Sequence, residues 1–273
     1  MAQDLYRNRD FIPDFDAIIA ETAARSREVS ARTDLRADIA YGPGLRERMD
    51  ILLPKTPAQG APLHLFIHGG YWRSGSKEDH RLVAAPVLAA GGICAVLTYD
   101  LMPETRLGAI VAQVRAAARH LTGIAPSLGA DPGRLTVSGH SAGAHLASYL
   151  AAYAPHEPMP DLPALRGLLL VSGIYDLSGI PGSFLKDEAK MTPAEAADWS
   201  PMTSTHQPDL PRIITRGQAE TAPFQQQAAA LAALLPGSEL RQEPGLDHLA
   251  IVLALGDPQA SLGRRLSELV AAS

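Results

Sequence analysis

The chemistry this chain can perform is concentrated around one serine. Gly139-His140-Ser141-Ala142-Gly143 fits the pattern G-x-S-x-G. Short glycine-serine strings arise by chance, but this one stands between an apolar run, RLTVSG (134–139), and a small-residue helical stretch, AGAHLASYLAAY (142–153). A strand-to-helix turn that sharp leaves no room for side chains at the flanking positions, and it lifts Ser141 to the start of a helix. A serine hydroxyl is a weak nucleophile at neutral pH and needs a base. Of the histidines that follow, His145 lies one helical turn past Ser141, His156 follows the end of that helix, and His206 falls in an irregular stretch. Only His248, in PGLDHLAIV, sits in a loop between the last expected strand and the last helix.

The base in turn needs a carboxylate to fix its tautomer and to stabilise the imidazolium. Glu220, in TRGQAE, is the first carboxylate after the strand PRIITRG and ranks first. Asp176, in SGIYDL, follows an earlier strand and ranks second. Asp247 ranks last, because adjacent side chains in a chain seldom face each other. A second glycine cluster, His68-Gly69-Gly70-Tyr71-Trp72, closes another apolar run. Glycines there bring backbone N–H groups close to a substrate oxygen, so Gly70, Tyr71 and Ala142 are the expected oxyanion donors. Tyr71, Trp72, His140 and Trp199 are the expected pocket-lining side chains, and His68 is expected to hold its loop.

These residues need a frame. PLHLFIHG (62–69), ICAVLTY (93–99), RLTVSG, LRGLLLVSG (165–173), PRIITRG (211–217) and SELRQEPG (238–245) read as strands. Helical spacing separates them at about 78–90, 105–126, 142–153 and 223–235, and a helix closes the chain. Such alternation predicts a mostly parallel sheet with helices on both faces. RADIAYGPGLRERMDILLP (36–54) reads as two further strands around a Gly-Pro-Gly turn. Residues 1–35 look helical and partly loop, with Tyr6, Phe11, Ile12, Phe15, Ile18 and Ile19 available to pack on the body. The stretch 178–210 breaks the rhythm with prolines, scattered charges, Phe184, Met191, Trp199 and Met202. An excursion that long is usually functional, which predicts a cap over the site. No linker divides the chain, so one domain over 1–273 is expected.

Composition narrows the function classes. The chain has 273 residues, 46% apolar and 19% charged, with a net charge of −5. No basic run suited to tracking phosphates occurs, so nucleic acid is not an expected partner. No stretch is long and apolar enough to predict a membrane span. Cys94 is the single cysteine and lies in an apolar run, where a core role is expected. The opening MAQDLYRNRDFIPDFD has no continuous apolar segment and does not read as a secretory signal, which predicts a cytoplasmic protein. Neither a metal-ligand spacing nor a nucleotide-binding glycine motif appears, so no cofactor is expected.

HGGYWRSGSK, YDLMPETRL, GHSAGAH, ETAPFQQQ and GLDHLAIV together resemble the arylformamidase (kynurenine formamidase)-like branch of the α/β-hydrolases. That branch is close to the hormone-sensitive-lipase-like esterases. The resemblance extends to the LYRNRDFIPD opening and the AYGPGLRERMDIL hairpin. It implies the α/β-hydrolase fold, a triad of Ser141, Glu220 and His248, and Gly70 and Tyr71 as the oxyanion loop. It further implies hydrolysis of N-formylkynurenine or of simple carboxylic esters, a small-molecule substrate in either case. The chain departs from the family directly after His248, where Leu249 and Ala250 stand in place of an aromatic residue and an aspartate. The alternative from another class is a non-catalytic binding module on the same fold, which a fluorophosphonate probe would separate from an enzyme.

Overall fold

The computed structural model describes residues 3–56 and 58–273. Its strands are β1 (Asp34–Ala40), β2 (Arg48–Leu53), β3 (Ala61–Ile67), β4 (Ile93–Leu97), β5 (Ala130–His140), β6 (Ala152–Tyr153), β7 (Leu165–Val171), β8 (Thr205–His206), β9 (Arg212–Gly217) and β10 (Glu239–Glu243). The α-helices are α1 (Phe15–Arg32), α2 (Ala84–Ala89), α3 (Leu107–Ile124), α4 (Ala142–Ser148), α5 (Pro193–Asp198), α6 (Ala222–Leu234), α7 (Ala250–Leu255) and α8 (Ser261–Ala271).

Eight strands form one sheet in the order β1-β2-β4-β3-β5-β7-β9-β10. The β1–β2 and β2–β4 pairs are antiparallel, and every pair from β4 to β10 is parallel. The sequence reading of a mostly parallel sheet covered by helices is therefore met. β3 and β4 are buried along their whole length, as continuous apolar runs between two helical layers must be. One apolar layer gathers α3, α4 and α6 against the sheet, through residues such as Val111, Leu146 and Leu231. The other gathers α2, α7 and α8, through Val87, Ile251 and Leu266. Cys94 is fully buried in that second layer.

Two local expectations change. The helix after Ser141 stops at Ser148 rather than running to residue 153. Arg115, itself buried on α3, donates to the carbonyls of Tyr149 and Ala152 and pairs with Glu157. With those carbonyls satisfied from outside, the chain leaves the helix, and residues 152–153 pair with 205–206 as a two-stranded sheet. The stretch at 78–90 begins as a 3-10 helix over Glu78–Val83 before α2. It is anchored by Asp50 of β2, whose fully buried carboxylate meets Lys77 at 3.1 Å and Arg81 at 2.6 Å. This anchor sets His80 at the edge of the cavity described next.

Candidate active site

The loops after β3, β5, β7, β9 and β10 meet at the carboxyl edge of the sheet, where open α/β sheets bind their ligands. Ser141 directly follows β5 and stands at the N-cap of α4. Its backbone takes φ 56° and ψ −123°, and its N–H donates to the Val171 carbonyl at 2.8 Å. The two motif glycines explain themselves sterically. A Cβ on Gly139 would overlap the Gly143 carbonyl, and one on Gly143 would overlap the carbonyls of Ile67 and His68. The obstacle is backbone in both cases, so it cannot rotate away. Gly143→Ala is therefore expected to lose about 1–3 kcal/mol of stability by overpacking, read as a lower urea midpoint at unchanged m. A midpoint equal to wild type would refute the steric account.

The Ser141 hydroxyl lies 2.9 Å from Nε2 of His248. On the far side of the ring, Nδ1 of His248 lies 3.3 Å from Oε2 of Glu220. All three side chains are buried. The second carboxylate oxygen, Oε1, accepts the Gly217 N–H at 2.7 Å and the Ser172 hydroxyl. With that oxygen tied to its own loop and to the end of β7, Oε2 is left to face the imidazole. The Phe224 ring packs on His248 with centroids 4.1 Å apart. The neighbouring His140 donates from Nε2 to the His248 carbonyl at 2.8 Å, which fixes the loop that carries it. Burial drives the His140 pKa well below its ordinary value, so that ring stays neutral. This arrangement allows a proton to pass from Ser141 to His248 while Glu220 holds the ring's Nδ1–H.

The rival carboxylates are occupied elsewhere. Asp176 is exposed, and its Oδ1 accepts the Ser178 N–H at 2.9 Å. Asp247 accepts the amides of Leu249 and Ala250, both at 2.8 Å, at the start of α7.

Gly70, Tyr71 and Trp72 all have positive φ, at 111°, 51° and 59°. Among the described residues, the N–H groups of Gly70, Tyr71 and Ala142 donate to no side chain and to no loop or turn carbonyl. Gly70 and Tyr71 line the same cavity as Ser141, and Ala142 directly follows it. His68 holds its loop, with Nδ1 2.7 Å from the Gly69 carbonyl and the Tyr99 hydroxyl donating to its own carbonyl at 3.0 Å.

A cavity of about 570 Å³ opens onto Ser141, His248, His140, Gly69, Gly70 and Tyr71. Two expected lining residues are not there. Trp72 is fully buried, turned away from the cavity toward α4, where its Nε1–H donates to His145. Trp199 packs against Gly108, Tyr149 and His156 inside the protein. Successive residues on a left-handed turn point to different sides, so Tyr71 can face the cavity only by sending Trp72 elsewhere. Of the 178–210 excursion, Phe184 and Glu188 reach the cavity. Half of the remaining wall comes from the N-terminal stretch, through Asn8, Phe15, Ile18, Ile19 and Thr22, with Arg7 and Arg9 beside them, and the rest from residues 73–80 and from Leu249 and Val252. The spacing of Phe15, Ile18, Ile19 and Thr22 marks one helical face, and that was the available signal for this wall. His80 and Ser172 carried no signal of their own.

A family model described as BD-FAE matches residues 49–161. The kynurenine formamidase of Salmo salar is 30% identical over 246 residues, 86% of this chain and 82% of that protein. The solved structure of a protein from Silicibacter sp. TM1040, described as a candidate thioesterase, superposes with a TM-score of 0.84 at 26% identity. It covers 95% of this chain and 96% of its own. The hyperthermophilic esterase of Pyrobaculum calidifontis superposes with a TM-score of 0.69 at 19% identity, over 94% of this chain and 90% of its own, a likeness of fold.

Proposed function

Because this chain belongs to the kynurenine formamidase family of α/β-hydrolases, we propose that it cleaves small-acyl aryl esters or aryl formamides through an acyl-enzyme on Ser141. The observation that carries this reading is the unbroken hydrogen-bond chain Ser141–His248–Glu220 facing a cavity. The Ser141 hydroxyl attacks the substrate carbonyl as Nε2 of His248 takes its proton. Negative charge develops on the carbonyl oxygen, and the N–H groups of Gly70, Tyr71 and Ala142 receive it. Collapse of the tetrahedral intermediate expels the leaving group, which takes the proton from His248. Water, deprotonated by the same ring, then attacks the acyl-enzyme and releases formate or a short carboxylic acid.

The cavity favours a flat, apolar leaving group. Phe15, Ile18, Ile19, Tyr71, Phe184, Leu249 and Val252 supply its apolar surface. We read Phe184 and its neighbours as part of a cap that closes over this group together with the N-terminal stretch. Among the described residues no helix is long and apolar enough to cross a membrane. A cytoplasmic site of action is the location we infer, from the lone buried thiol of Cys94.

Acyl preference tests the reading. Tyr71 stands beside the oxyanion glycines, so the acyl side of Ser141 is expected to be narrow. Formyl and acetyl aryl substrates should exceed butyryl and hexanoyl ones in kcat/KM on a common leaving group. An added methylene that fits is worth only about 1–3 kcal/mol, whereas one that clashes removes productive binding. A monotonic rise through hexanoyl would point to a lipase-like esterase instead. Adding N-formylkynurenine to the same series separates formamide from ester hydrolysis.

A further inference from the structure

The oxyanion donors of the proposed reaction come from two different elements. Gly70 and Tyr71 lie on the loop after β3, and Ala142 opens α4. Stabilising an oxyanion needs donors held close to the productive geometry, so the two elements must be fixed to each other. The loop is the less secure of the two, because Tyr71 and Trp72 are non-glycine residues held at positive φ. Such a conformation persists only where the surroundings enforce it. Its carbonyls are tied: Gly70 O accepts from Arg73 and Ser74, both at 3.1 Å, and Trp72 O from Met102 at 2.8 Å. None of these bonds reaches α4.

One side-chain bond does. Nε1–H of Trp72 donates to Nδ1 of His145 at 3.2 Å, and the rings meet edge to face with centroids 5.1 Å apart. His145 sits on α4, one turn beyond Ser141, and its own N–H donates to the Ser141 carbonyl at 3.2 Å. Its Nε2–H donates to the Trp199 carbonyl at 2.8 Å, which fixes the tautomer that leaves Nδ1 free to accept. Burial lowers the His145 pKa to about 4, so the ring stays in the neutral form this bond requires. Both residues are fully buried and touch no part of the cavity.

We infer that the Trp72–His145 hydrogen bond is the link that holds the two halves of the oxyanion hole in register, making both positioning residues for the proposed hydrolysis. The inference rests on that reaction, and its effect falls on the transition state rather than on substrate binding. Tyr71 is held from the opposite side, its hydroxyl donating to the Tyr6 carbonyl and accepting from Asn8 at 3.3 Å. The loop is therefore clamped between the N-terminal stretch and the helix that follows Ser141.

The test uses 4-nitrophenyl acetate hydrolysis and the rate of fluorophosphonate labelling in the full chain. Trp72→Phe removes the donor and keeps an aromatic ring. His145→Leu removes the acceptor at similar volume. His145→Asn restores an amide oxygen where Nδ1 stands. The first two variants are expected to lose about tenfold or more in kcat with KM within about twofold, and to label correspondingly slowly. His145→Asn is expected to recover to within about threefold of wild type. Retention of kcat within about twofold in Trp72→Phe, a loss carried by KM, or an Asn variant no better than Leu would each overturn the inference. If Trp72→Phe does not fold, the two His145 variants decide between the same outcomes. A wild-type chain inert to the probe would defeat the hydrolase reading itself, before any variant is compared.

Discussion

Ser141→Ala is expected to lower turnover of a small aryl ester by roughly 10⁴-fold or more and to abolish covalent labelling by a fluorophosphonate. The size of the effect follows from the way the site is built. The Oγ of Ser141 meets Nε2 of His248 at 2.9 Å and faces the cavity that Gly70 and Tyr71 also line. Without it no acyl-enzyme can form, and what remains is the oxyanion donors acting on water. Triad members act as a unit, so the loss is far larger than one hydrogen bond is worth. Stability should change little. Alanine at φ 56° carries the same backbone strain as serine, and the substitution removes no buried apolar volume. Steady-state kinetics and intact-mass labelling check the result. Turnover within about tenfold of wild type would end the serine-hydrolase reading.

The parts of this site that were legible in the sequence are those fixed by backbone geometry. Gly139 and Gly143 are demanded by backbone atoms that would meet any Cβ, so the elbow was readable from residue types alone. Chain order placed His248 after the last strand of the sheet and Glu220 after β9, because parallel strands deliver their loops to one edge. Side-chain direction was not legible in the same way. Trp72 follows Tyr71 directly, yet one faces the cavity and the other α4, a difference decided by two consecutive positive φ angles. Trp199 looked like a cap residue and instead packs against α3 at Gly108, where a glycine leaves room for its ring. The N-terminal wall depends on α1 lying across the 3-10 helix at 78–83, with Ser26 Oγ donating to the Asp79 carbonyl at 2.8 Å and accepting the Leu82 N–H at 3.1 Å. That contact spans more than 50 positions in sequence, and no local pattern announces it.

Glu220→Gln is expected to leave the fold intact and to lower kcat on the order of 10⁴-fold, while Asp176→Asn stays near wild type. The hydrogen bonds around Glu220 dictate how a glutamine would sit. Gly217 N–H and the Ser172 hydroxyl both donate to Oε1, so the amide oxygen must take that place. The amide NH₂ is then turned toward Nδ1 of His248, which must accept rather than donate. The imidazole is forced into the tautomer with its proton on Nε2, facing Ser141. A ring protonated there cannot take the Ser141 proton, and no carboxylate remains to stabilise the imidazolium if it forms. Asp176 has no such leverage, since it is exposed and its Oδ1 serves the Ser178 amide. Circular dichroism and kcat for both variants settle the matter. A near wild-type Glu220→Gln beside an inactive Asp176→Asn would move the acid to the loop after β7 and leave Ser141 and His248 in their roles.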